Sequence, residues 1–142
     1  MTDPRHTDIV ENWFEAAVAA EARRDWDAAI SAVEAVEECY SVAPERHDAH
    51  LWHMDLLVKA RYLDELAARS ETDVHARRRL DRFLYEDGRD RDLRQRALHG
   101  DKQALYFLVR LLRQRGDEAA ARRAVAEIDG TDGYALELAM RP

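Results

Sequence analysis

The sequence predicts an all-α protein, and three observations carry that prediction. Apolar residues recur every three or four positions through most of the chain, the period of a helix with one buried face. β-branched residues are sparse. Only five glycines and three prolines interrupt 142 residues, and several of them fall between the apolar stripes, where helices end and begin.

The elements follow in order. Residues 1–7 read as a flexible tail, and residues 8–142 as one domain, because no Pro/Gly/Ser-rich linker divides them. From about Asp8, the residues Ile9, Val10, Trp13, Phe14, Ala17 and Ala20 form the first stripe, broken at Arg23-Arg24-Asp25. Asp25 is placed to cap a second helix that carries Trp26, Ala29, Ile30, Val33, Val36 and Tyr40. Pro44 suits the first turn of a third helix, with Leu51, Trp52, Leu56, Leu57 and Val58. A turn near Ala60-Arg61, marked by neither glycine nor proline, separates it from Tyr62, Leu63, Leu66 and Ala67. Ser70-Glu71-Thr72-Asp73 is a polar break. Val74, Arg77, Leu80, Phe83 and Leu84 follow, closed by Gly88. Asp90 or Asp92 opens a short helix with Leu93, Ala97 and Leu98, ended by Gly100.

Asp101 to Asp129 reads as a helical hairpin. Ala104, Leu105, Leu108, Val109, Leu111 and Leu112 give the first helix a wide apolar side. Gly116 can take the left-handed conformation that ends a helix, and Asp117 can cap the next. Ala120, Ala121, Ala124, Val125 and Ile128 form its smaller face, with Ala120 expected at the closest approach of the two helices and Ala119 in water. After the turn Gly130-Thr131-Asp132-Gly133, Tyr134, Leu136, Leu138 and Ala139 suggest a closing helix.

Arg24-Asp25-Trp26-Asp27-Ala28-Ala29-Ile30 can be laid over Arg115-Gly116-Asp117-Glu118-Ala119-Ala120-Ala121: a turn, an acidic residue, then paired alanines opening a helix. With Trp13, Ala17, Ala20 and Val33 in one unit and Ala104, Leu108, Leu111 and Ala124 in the other, the chain resembles the tetratricopeptide repeat family. The middle of the chain departs from the 34-residue repeat. The resemblance implies a short α-α superhelix of stacked hairpins that binds a protein or peptide partner and has no enzymatic activity. It places Phe14 and Val18 in the first unit, and Leu105, Val109 and Leu112 in the last, on the groove side where partners bind. Those positions are apolar, so the clamp that some family members use for a terminal carboxylate is not expected.

Charge and chemistry narrow the classes further. The net charge of −7 disfavours binding nucleic acid through the whole surface. Residues 1–72 hold 7 basic and 16 acidic side chains, whereas residues 73–142 hold 15 and 13. The basic concentration at Arg77, Arg78, Arg79 and Arg82, continuing through Arg89, Arg91 and Arg94 to Arg96, is a candidate to bind an anion, a nucleic-acid backbone or an acidic protein, with Arg77, Arg78 and Arg82 as the candidate anion-binding residues. It is also a candidate to meet the acidic half of another copy, making a homo-oligomer. The interleaved acids Asp81, Glu86, Asp87, Asp90 and Asp92 favour a solvated face instead. His47, His50 and His53, three residues apart, are weak metal-ligand candidates, since successive steps of three drift around a helix. A helical metal- or small-ligand-binding protein built on them is the rival function. A single cysteine, Cys39, excludes an internal disulfide and reads as a small buried side chain. No GxSxG motif or Gly-rich phosphate loop is present, so neither catalysis nor a cofactor is expected. No basic-then-apolar leader opens the chain, and no apolar run approaches the ~20 residues of a membrane span. A soluble cytoplasmic protein is the expectation.

Overall fold

The computed structural model describes residues 4–37 and 44–141, with side chains from residue 12 onward. Cys39 and Tyr40 lie outside the described residues. Within them the chain forms nine helices and no strand, so the fold is all-α. In order these are α1 (Pro4–Ala22), α2 (Trp26–Glu34), α3 (Pro44–Lys59), α4 (Leu63–Ser70), α5 (Val74–Glu86), α6 (Asp90–Leu98), α7 (Lys102–Gln114), α8 (Glu118–Asp129) and α9 (Gly133–Met140). Helix α1 starts at Pro4, inside the stretch expected to be tail. Proline suits that place, because the first helical position has no hydrogen bond to lose.

One device makes most of the connections. Arg24, Arg61, Gly88, Gly100 and Gly116 all have positive φ. The residue after each is the N-cap of the next helix: Asp25, Tyr62, Arg89, Asp101 and Asp117. In every case that residue's N–H reaches back five residues to the ending helix, at 2.8 to 3.1 Å: Asp25 to Ala20, Tyr62 to Leu57, Arg89 to Leu84, Asp101 to Arg96 and Asp117 to Leu112. This is the backbone closure that satisfies the last carbonyls of a helix. The side chains of Asp25, Asp101 and Asp117 then accept from the N–H groups of Ala28, Ala104 and Ala120 at 3.2, 3.2 and 2.9 Å. Asp132 caps α9 in the same way, accepting from Tyr134 and Ala135.

The helices gather into two compact units, Met1–Arg79 and Leu80–Pro142, with the division inside α5. The sequence, lacking a linker there, does not mark it. In the first unit α1 packs on α2, α2 on α3, and α3 on α4. Ala17, Ala29, Val33, Ala49, Met54 and Leu57 are fully buried in its core. In the second, α7 packs against α6, α8 and α9. All six apolar residues expected on one side of α7 are buried, and so is Phe107.

The alignment of the two hairpins is corrected by one residue. Arg24 and Gly116 occupy the same left-handed position, so Asp25 matches Asp117 and Ala29 matches Ala121. Ala29 and Ala121 are both fully buried, whereas Ala120 is only partly covered and Ala119 is exposed. The tight position is therefore Ala121. Ala121→Leu should lower the denaturation midpoint by an amount worth ~1–3 kcal/mol, while Ala119→Leu should change stability by less than ~0.5 kcal/mol. Equal tolerance in urea melts would refute this register.

Arg24 pays a steric cost that glycine avoids at φ 58°. Arg24→Gly is expected to stabilise the fold by ~0.5–1 kcal/mol, the relieved strain outweighing the added freedom of the unfolded chain. Chemical denaturation at unchanged slope is the measurement, and a loss of stability would show that the arginine side chain holds the turn.

Candidate functional site

Helix α3 sets His50 and His53 three residues apart, hence on neighbouring positions of one face. That face is turned inward: His50 is 6% exposed and His53 is 0% exposed. Carboxylates meet them from two directions. Glu34 is the last residue of α2 and Glu37 follows three residues later, so this pair has the same spacing as the histidines. Glu37 spans both rings, with Oε1 at 2.8 Å from His53 Nδ1 and Oε2 at 3.0 Å from His50 Nδ1. Asp73, just before α5, lies 2.7 Å from His50 Nε2. His50 thus has a carboxylate at each ring nitrogen, and both contacts are hydrogen bonds only when both nitrogens carry protons. His53 Nε2 is buried and makes no hydrogen bond; Glu34 Oε1 is 3.5 Å away.

The electrostatics follow from this packing. Burial alone would raise the Glu37 carboxyl, but the contacts from His53 and then His50 outweigh it and hold it below the usual carboxylate range. Asp73 is likewise pushed up by burial, yet ends lowered by the backbone N–H of His75 and by His50. His75 lies with its ring 5.7 Å from that of His50 and 5.3 Å from that of His47. Burial first, against the attraction of Asp73, and then the charges of His50, His47 and Arg79 keep it below the ordinary imidazole value.

The trio expected from sequence is therefore divided. His50 and His53 share Glu37, whereas His47 turns to His75. Glu34, Glu37, Asp73 and His75 were not singled out from sequence. The matching three-residue spacings of Glu34/Glu37 and His50/His53 are visible there, but only the packing of α2 on α3 makes them face each other.

Of the arginines, Arg77 donates to the Ser70 carbonyl at 3.4 Å, and Arg78 and Arg82 are exposed. Their neighbours meet acids: Arg79 with Asp55 at 2.6 Å, Arg89 with Asp87 at 2.7 Å and Arg94 with Glu127 at 3.3 Å. Arg96 differs, because it bridges Asp81 at 2.7 Å and Asp101 at 3.3 Å, and Asp81 is fully buried. Burial and the adjacent Asp101 carboxyl push Asp81 up to about 8, against the pull of Arg96. Its folded value lies far above the ~3.9 of an unfolded chain, so between these limits the folded state holds a proton that the unfolded state releases. This contribution to stability is fully present below about pH 4 and is lost as pH rises through about 8. Asp81→Asn keeps an acceptor for Arg96 and removes the titrating carboxyl. The stability of Asp81→Asn relative to wild type should therefore grow between about pH 4 and 8, at up to ~1.4 kcal/mol per pH unit, and level off above that. A difference that stays flat across denaturation curves in this range would refute it.

Of the expected partner-binding residues, Phe14 and Val18 are 56% and 44% exposed on one face of α1. Phe14 packs edge-on to Trp13 at 5.7 Å between ring centroids and against Trp52 of α3 at 5.6 Å. Leu105, Val109 and Leu112 do not form a matching open face. They are 2%, 0% and 8% exposed, because α7 is packed by α6, α8 and α9. A sequence stripe shows that a side is apolar, but not whether the chain itself covers it.

Comparison with protein-family models, curated proteins and solved structures finds no match. Among the described residues, no helix is long and apolar enough to cross a membrane.

Proposed function

We propose that this is a non-enzymatic, tetratricopeptide-like helical-repeat module of the cytoplasm that holds a protein or peptide partner on the aromatic face of α1 and α3. The observation that carries the reading is the cluster of Trp13, Phe14 and Trp52, which leaves Phe14 more than half exposed beside Val18. Clustered aromatics hold their rings in place before a partner arrives, so little freedom is lost on binding, and such residues dominate interface energies. Isolated exposed apolar residues need no explanation, whereas a contiguous aromatic group at the surface does. The rim is acidic. Glu21 accepts from Trp52 Nε1 at 3.5 Å and from Lys59 at 2.5 Å, and the N-terminal half carries a large excess of carboxylates. The matching partner presents an apolar anchor flanked by basic residues.

The test is affinity capture with wild type and with the double variant Phe14→Asp/Val18→Asp. Phe14→Asp gives up ring contacts with Trp13 and Trp52, so a modest fall in melting temperature is expected while the helical circular dichroism is kept. A specific protein should be retained by wild type and weakened at least ~10-fold by the double variant, since truncating a central aromatic commonly costs about 2 kcal/mol or more. Capture that is indifferent to the double change would refute the assignment of this face.

A further inference from the structure

We propose that His53 and Glu34, with Glu37 behind them, form a binding site for one divalent transition-metal ion of the zinc class in the first unit. Two observations carry it independently of the aromatic face. The first is chemical convergence: one atom from each of Glu34, Glu37 and His53 lies within 4.8 Å of the others, with Glu34 and His53 as the ligands and Glu37 on the far nitrogen of the ring. The second is a buried nitrogen with no hydrogen bond. His53 is fully enclosed, and its Nε2 faces Glu34 Oε1 at 3.5 Å.

The tautomer follows from the partners. An ionised carboxylate only accepts hydrogen bonds, so the 2.8 Å contact with Glu37 Oε1 places the proton of a neutral His53 ring on Nδ1. Nε2 then presents a lone pair to another acceptor, the Glu34 carboxylate. Two acceptors that face each other repel, and a cation between them relieves that repulsion, either a proton on Nε2 or a metal ion that displaces it. Their spacing suits a metal: two ligand atoms each bound at ~2.1 Å to a tetrahedral zinc ion lie about 3.4 Å apart. A carboxylate on the far ring nitrogen is the arrangement that orients a metal-binding imidazole and raises its basicity. Glu37 fills that role, and its other oxygen is fixed by His50 at 3.0 Å. Glu34 is 45% exposed at its side chain, so water can complete the coordination. Arg69, 3.9 Å from Glu34 Oε1, has Glu65 as an alternative partner at 3.3 Å. One imidazole nitrogen with carboxylate oxygens suits zinc, nickel or cobalt better than calcium or a soft ion such as copper(I).

The experiment uses the full chain after chelation and dialysis, titrated with zinc chloride by calorimetry and followed by thermal melting. A Cys39→Ser chain is run in parallel, because a thiol is the competing zinc ligand. Wild type and Cys39→Ser should each take up one equivalent of zinc and melt at a higher temperature with the ion than without it. Glu34→Gln, at a half-exposed position, should fold and melt like wild type without zinc but bind it at least ~10-fold more weakly. Glu37→Gln should weaken binding by a similar ~10–100-fold through loss of ring orientation. The proposal is overturned if wild type takes up no zinc, if Glu34→Gln binds it undiminished, or if Cys39→Ser abolishes binding.

Discussion

A helix can end only where its last carbonyls find donors, and among the described residues one solution to that constraint is used five times. A left-handed residue reverses the backbone, the next residue's N–H closes back five positions, and that same residue begins the following helix. Such a connection contains no spare residues. In α1–α2, α3–α4, α6–α7 and α7–α8 it joins helices that pack on each other, and small residues such as Ala17 and Ala29 are buried to zero exposure.

The two units handle buried charge differently. In the first, His50 and His53 are enclosed, and each meets carboxylates within 3.5 Å, so the cost of taking charge from water is offset by partners. Glu37 joins the two rings, and Asp73 ties the approach of α5 to α3. In the second unit, Asp81 has Arg96 on one oxygen, while the other oxygen makes no hydrogen bond. Arg96 is shared with Asp101, which also caps α7. Two carboxyls on one guanidinium cannot both be fully compensated, so the buried one keeps its proton to a higher pH. The first arrangement leaves one buried ring nitrogen without a hydrogen bond, whereas the second leaves a carboxyl that titrates.

Much of the fold was legible in the sequence because a helix face and a helix cap are local properties. The stripes through Ala17, Ala29, Leu57, Leu84 and Leu108 marked their helices, and Asp25, Asp101, Asp117 and the glycines at 88, 100 and 116 marked their ends. Arginines in the left-handed conformation carry no such signal. Arg61 was found only as a gap between stripes, and Arg24 shifted the comparison of hairpins by one residue, from Ala121 to Ala120. The spacing of His50 and His53 was likewise readable. What only the tertiary structure decided was which distant groups meet them, because Glu37 is brought to both rings by the packing of α2 on α3 and Asp73 by the chain's return before α5. It also decided that Phe14 stays open while Leu105, Val109 and Leu112 are covered. A periodic pattern states how apolar a face is, and only the packed neighbours determine whether water still reaches it.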